Sequence, residues 1–182
     1  MSVMNVTAAK PKVGGAVSVA PIGTTLPTDT STALNAAFEN LGYISEDGAT
    51  KNITPSVAEI RAWGGDVVLT ATQQRTITWQ FTLLESLDVN VMTEVYGAGN
   101  ITGTTLAAGI TVDVNSDELP DRSWVVEMVL RGGVACRVVL PIAHISAIDS
   151  ITYNDSNAVG YNITLTCMPD SAGNSAYEYY KS

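Results

Sequence analysis

Residues 75–97 read RTITWQFTLLESLDVNVMTEVYG, and this stretch decides the fold class. Ile77, Trp79, Phe81 and Leu83 alternate with Thr76, Thr78, Gln80 and Thr82. A period of two puts the apolar set on one face of a strand and the neutral polar set on the other. The period then lengthens. Leu87, Val91 and Val95 recur every four residues, and Gly97 supplies a helix stop. The reading is a half-buried strand that runs straight into a short helix near 86–96, with Asp88 at the positive end of the helix dipole. The polar face of the strand carries no charge. Such a face lines a wet cavity, looks onto solvent, or meets a neighbouring subunit.

Strand patterns continue on both sides. Asp66 to Thr72 reads as a strand, with Gln73-Gln74 turning into Arg75 to Leu83. Arg122 to Arg131 and Ala135 to Pro141 form a hairpin about Gly132-Gly133. A three-residue loop pairs Leu130 with Cys136, Met128 with Val138 and Val126 with Leu140, and sets Glu127 diagonal to Arg137. A two-residue loop mixes the faces, so the apolar face favours the longer one. A second hairpin runs from His144 to Tyr153 and returns from Ala158 to Cys167, with Val159, Tyr161, Ile163, Leu165 and Cys167 on one face. Trp79, Phe81 and Trp124 lie on apolar faces and are the candidate core anchors.

The ends are less regular. Residues 1–40 read as an N-terminal arm and first strand over Val13 to Val19, with a helical turn at Ala36 to Asn40. Leu41 to Ile44 is a short strand, followed by a turn at Glu46-Asp47-Gly48. Residues 47–64 read as an irregular loop broken by Pro55, with Ile60 and Trp63 anchoring it to the core. Residues 168–182 read as a C-terminal arm whose tyrosines dock on a surface. Tyr177, Tyr179, Tyr180, Asp47 and Pro55 are therefore the candidate inter-subunit contacts. The expectation is one domain over 1–182, mainly β, of two packed β-sheets in a sandwich or partial barrel, with one flanking α-helix, extended arms and loops.

Composition narrows the function. The chain has 182 residues and is 46% hydrophobic but only 15% charged. Soluble domains carry about 25% charge. Either other subunits cover much of the surface, or neutral Thr and Asn keep a β protein soluble. Eighteen acids against nine scattered bases give a net charge of −9, which argues against phosphate-neutralising nucleic-acid binding. Cys136 and Cys167 fit no CxxC pattern and read as buried free thiols. The start MSVMNVTAAKPKV lacks the apolar core of a signal peptide, and no window reaches membrane-spanning length, so the expectation is cytoplasmic production without a membrane partner. Sequons at Asn5, Asn52, Asn100 and Asn162 carry little meaning without secretion.

Chemistry-bearing patterns are sparse. His144 is the single histidine, and no GxSxG elbow accompanies it. Asp113-Val-Asn115-Ser-Asp117 opens like a calcium loop, but the sixth and twelfth positions hold Glu118 and Trp124 instead of Gly and Glu. Neither glycine pair belongs to a phosphate loop. The reading is a non-enzyme with no cofactor and no metal.

Several patches together resemble one family. They are residues 15–23 (GAVSVAPIG), 41–48 (LGYISEDG), 62–66 (AWGGD), 81–87 (FTLLESL) with 95–97 (VYG), 122–126 (RSWVV), 158–161 (AVGY) and 165–174 (LTCMPDSAGN). Their order is similar to that in the major tail protein, or tail tube protein, of long flexible-tailed bacteriophages, especially phages of actinobacterial hosts. The resemblance implies two packed sheets with a flanking helix. It implies a structural virion protein of the phage tail, assembled in the host cytoplasm as hexameric rings that stack into a hollow tube for DNA ejection. The implied partners are other copies of the chain, the tape-measure protein, the tail terminator and tail-tip proteins, and DNA that passes without specific binding. The alternative is a β-sandwich binding, adhesion or virion decoration module.

Overall fold

A computed structural model describes residues 5–182. Eleven strands and one helix follow in order: β1 Ala9–Pro11, β2 Val17–Pro21, β3 Glu39–Asn40, β4 Ile44–Arg61, β5 Val67–Leu83, α1 Val89–Tyr96, β6 Ile101–Thr102, β7 Thr111–Val112, β8 Arg122–Leu130, β9 Ala135–Ile148, β10 Tyr161–Met168 and β11 Tyr177–Lys181. The main sheet has nine strands in the order β3-β2-β8-β9-β10-β5-β4, with β1 added to β8 and β11 added to β9; β6 and β7 pair separately. All pairings are antiparallel.

The sheet is folded over a single core. Trp79, Phe81 and Leu83 from β5 share it with Val17 and Val19 from β2, and with Trp124 and Val126 from β8. Strand β9 makes the bend. Its first half pairs with β8 and β11, and its second half pairs with β10. Two packed layers result, left open between β1 and the start of β4. Helix α1 closes one side by burying Val91 and Val95 in the same core.

The strand-to-helix stretch behaves locally as its periodicity dictates. Trp79, Phe81 and Leu83 are buried, and the helix ends at Gly97, whose N–H donates to the Thr93 carbonyl at 2.9 Å. The helix starts three residues later than 86, because Asp88 caps it by accepting from the Asn90 N–H at 2.7 Å. Leu87 therefore lies outside the helix and is exposed.

Several expectations are corrected. The β8–β9 loop has three residues, but they are Arg131–Gly133, flanked by Leu130 N–H donating to the Val134 carbonyl. Met128 consequently faces Cys136, Val126 faces Val138, and Glu127 sits directly opposite Arg137. Gly132 and Gly133 both have positive φ, 83° and 82°, which centres the turn on them. The shift preserves the side of every residue, so the apolar face survives.

Residues 47–64 are not an irregular loop. Strand β4 runs through to Arg61, and Ile60 and Trp63 are exposed instead of anchored in the core. Pro55 is tolerated because β4 is an edge strand, where a missing N–H costs no ladder bond on the outer side. Gln73-Gln74 is not a turn: Ser56 pairs with Gln74 and Val57 with Thr72, so Gln73 is a bulge in a continuous β5. Residues 45–48 bulge out in the same way between Ile44 and Ala49. The C-terminal segment is no free arm, since β11 adds to β9 with Tyr177 opposite Val139. The helical turn expected over residues 36–40 is a single tight turn at Ala36–Ala37, closed by the Phe38 N–H donating to the Asn35 carbonyl at 2.9 Å, and Glu39 and Asn40 are β3. Of the first strand expected over Val13 to Val19, only its end is strand, as part of β2 from Val17 to Pro21, while β1 lies before it at Ala9–Pro11; β9 is unbroken from Ala135 to Ile148.

Candidate assembly interface

Strands β4 and β5 are longer than the sheet that supports them. The pairing of β5 with β10 stops at Ile77 opposite Cys167. Beyond it, Thr54 to Arg61 pair only with Val67 to Thr76, so a two-stranded ribbon projects from the body. Its turn is closed by the Ala62 N–H to the Asp66 carbonyl at 2.8 Å and the Gly65 N–H to the Ala62 carbonyl at 3.0 Å. Gly64 and Gly65 take φ of 119° and 100°, which other residues rarely adopt.

The ribbon is apolar without cover. Val57, Ile60, Val67, Val68 and Leu69 are exposed along it, and Trp63 at its tip is 106% exposed relative to a free residue. A lone two-stranded ribbon is marginal in water. Strand β4 also presents its outer edge unpaired along its length, an open template for another strand.

The outward face of the supporting strands is neutral. The pairs Thr50/Gln80, Asn52/Thr78 and Thr54/Thr76 continue through Thr164 and Thr166 of β10 to His144 of β9. Gln80 Nε2 donates to Asn162 Oδ1 at 3.2 Å, and the Thr166 hydroxyl donates to Ser146 Oγ at 2.8 Å. Charge enters only at the rim. Asp149 accepts from Gln80, and Asp121 lies 3.2 Å from His144 Nδ1.

The residues singled out as contacts scatter. Asp47 sits in the β4 bulge and Pro55 at the root of the ribbon, both exposed. The tyrosines are engaged within their own chain. Tyr177 and Tyr179 stack at 6.4 Å, Tyr177 donates to Asp170 at 2.6 Å, and Tyr180 donates to Glu178 at 2.6 Å. The last bond raises the Tyr180 phenol and helps lower Glu178, which also pairs with Lys51. Trp79, Phe81 and Trp124 are buried. Sequence reading missed the apolar ribbon. Its one available signal was the cluster Ile53, Val57, Ile60 and Trp63 around a Gly-Gly turn.

Two buried ionic groups stiffen the body. Arg137 gives Nε and Nη2 to Glu127 Oε1 at 3.0 and 2.6 Å, while its Nη1 donates to the carbonyls of Asp29 and Thr32 at 2.6 and 2.8 Å. Lys12 adds a second cation to Glu127 at 2.8 Å. Burial pushes the Glu127 carboxyl up, but these hydrogen bonds outweigh it and hold it below its usual value. Glu94 on α1 is the opposite case. Burial raises it, and Arg122 at 3.3 Å only partly compensates. Burial also lifts Cys167 to about 11, so that thiol is inert.

The calcium-like loop is held by its own amide. Asn115 Nδ2 donates to Asn100 Oδ1 and to Asp117 Oδ2, both at 2.8 Å. No group of three or more His, Cys, Asp or Glu among the described residues could hold a metal ion.

The chain matches the family described as phage tail tube protein over residues 6–182. It belongs to that family. A tail tube protein is a structural component of the phage tail, and a virion location and a non-catalytic role go with membership. A comparison with curated proteins found no match. Among solved structures, the tube-terminating cap of the anti-feeding prophage is similar to this tail tube protein at a TM-score of 0.48 and 12% identity, covering 100% of each chain.

Proposed function

We propose that this tail tube protein polymerises with copies of itself, as stacked hexameric rings, into a hollow tube that conducts DNA into the host. The projecting ribbon carries the reading. Residues 54–76 expose apolar side chains around Trp63 on a two-stranded ribbon that its own body does not cover. Burial of such a surface stabilises by about 25 cal/mol per Å², and only another chain is available to bury it. The unpaired edge of β4 supports the same reading, because strand addition by a neighbour satisfies its backbone groups.

The neutral Thr/Gln face suits the inner wall. It offers DNA neither cations to hold it nor strong repulsion across the strand centres. The net charge of −9 works against adhesion in the same direction. A tape-measure protein, a terminator and tail-tip proteins are the partners that go with this role, and assembly takes place in the host cytoplasm.

Sedimentation velocity over a concentration series tests the reading. The full chain is expected to shift to large particles, and a variant with residues 54–76 replaced by a short turn is expected to lose the shift. A full chain that sediments as a monomer at every concentration contradicts it and favours a free-standing binding module.

A further inference from the structure

We propose that the Trp63 tip of one copy seats in the apolar groove between β1 and the start of β4 of the next copy. This rests on the self-assembly reading above and supplies the two halves of its stacking contact. The groove consists of two adjoining recesses of about 230 and 180 Å³ that share Pro11, Ala16 and Ile44. Val13 and Tyr43 line its outer recess and are 98% and 72% exposed. Val126 and Met128 form its floor, where the folded sheet stays open. The groove has the size and chemistry for an indole and the apolar residues behind it.

Placement selects a second copy as the occupant. The groove lies at the first residue of β4, and Trp63 lies just past its last residue; those ends pair with Leu83 and Val67, so the two are separated by the length of β5, about 50 Å at roughly 3.3 Å per residue. A chain cannot fold its own ribbon back into its own groove while β4 stays paired with β5 along its length. Two copies placed head to tail can make the contact. Tip and groove are different surfaces, so the interface is heterologous and leaves one free tip and one free groove after every joint. Such a contact propagates a stack and does not close on itself.

The groove wall carries both Lys10 and Glu46, neither of them in an ion pair among the described residues, so the fit between tip and groove rests on apolar contact and not on charge. The other two tryptophans are buried, so Trp63 is also its own optical reporter.

The test uses the full chain and two surface variants, Trp63→Ser and Val13→Asp. Both positions are exposed, and unchanged circular dichroism and melting checks that the variants fold. Trp63 emission is read as the difference between wild type and Trp63→Phe, with acrylamide as quencher. In wild-type assemblies Trp63 is expected to shift to the blue and lose most of its quencher access. Each variant alone is expected to stop at the single unit, ring or monomer. An equal mixture of separately purified units is expected to give paired units and nothing longer, because only one tip and one groove remain between them. Trp63→Ser stacks of wild-type length, quencher-accessible Trp63 in long stacks, or a mixture no larger than its components each overturn the contact. Wild-type rings that never stack overturn the contact and leave ring formation standing. A wild-type chain that never assembles overturns both readings.

Discussion

Phe81 and Trp124 meet edge to face with ring centroids 6.1 Å apart, although their strands are three places apart in the sheet order β8-β9-β10-β5. In a flat sheet three strand spacings amount to about 14 Å. The contact therefore spans the core between the two folded layers and reports the curl of the whole sheet. The interior of the subunit is set by this crossing, and its exterior by the ribbon that continues past it.

The first prediction follows from that crossing. Trp124 is fully buried, whereas Trp63 is fully exposed. Trp124→Ala is expected to cost about 3–5 kcal/mol by leaving a cavity between the layers. Trp63→Ala is expected to stay within about 0.5 kcal/mol for the isolated subunit. Urea unfolding of both variants checks the contrast, and equal losses would contradict the assignment of core and tip.

Arg137 and Glu127 give a second prediction. Removing one partner strands the other in a buried site and is expected to cost about 3–5 kcal/mol. Arg137→Met also frees the Asp29 and Thr32 carbonyls, so residues 22–38 should become the first site of proteolytic cleavage. Glu127 is depressed from its usual 4.5. Its contribution is thus present above the unfolded value near 4.5 and is lost as pH falls through the lower folded value. Melting temperatures between pH 7 and 3 should show this acid-side loss in wild type and not in Glu127→Gln.

Glu94 should behave in the opposite sense. Its folded pKa is raised above 4.5, chiefly by burial, so the subunit loses stability as pH rises through that folded value. Glu94→Gln is expected to stabilise the protein at neutral pH and to give no gain below pH 4.5. Destabilisation at neutral pH would mean that the Arg122 pair outweighs the burial of the carboxylate.

The last strand supplies a fourth prediction. Deleting Tyr177–Ser182 uncovers one edge of β9 from Ala135 to Val139 and removes the Glu178 partner of Lys51. The truncated subunit is expected to be less stable, with faster amide exchange confined first to residues 135–139. Unchanged stability would restore the view of this segment as an arm reserved for a neighbour.

Legibility in the sequence followed the covering of each segment. Strand β5 near Trp79 and Phe81, helix α1 and strand β10 each bury one face in their own chain, and that burial writes a period of two or four into the residues. The ribbon leaves both faces uncovered, so Ile53, Val57 and Ile60 alternate with nothing and Pro55 reads as a breaker. Strand β11 hid for a related reason. Tyr177, Tyr179 and Tyr180 lie half-buried or exposed on a strand with Glu178 and Lys181, and aromatic edge strands lack a clean apolar face. Register was harder still. Glu127 opposite Arg137 depends on which three residues form the turn, and both choices keep the apolar face inward. The assembly surface was least legible, because its chemistry is completed by residues of another copy.

Negative-stain electron microscopy of the purified full chain, over a concentration series, tests the central claim most directly. Rings or hollow tubes that lengthen with concentration are the predicted result. Discrete monomers at every concentration, with the ribbon left bare, would contradict it.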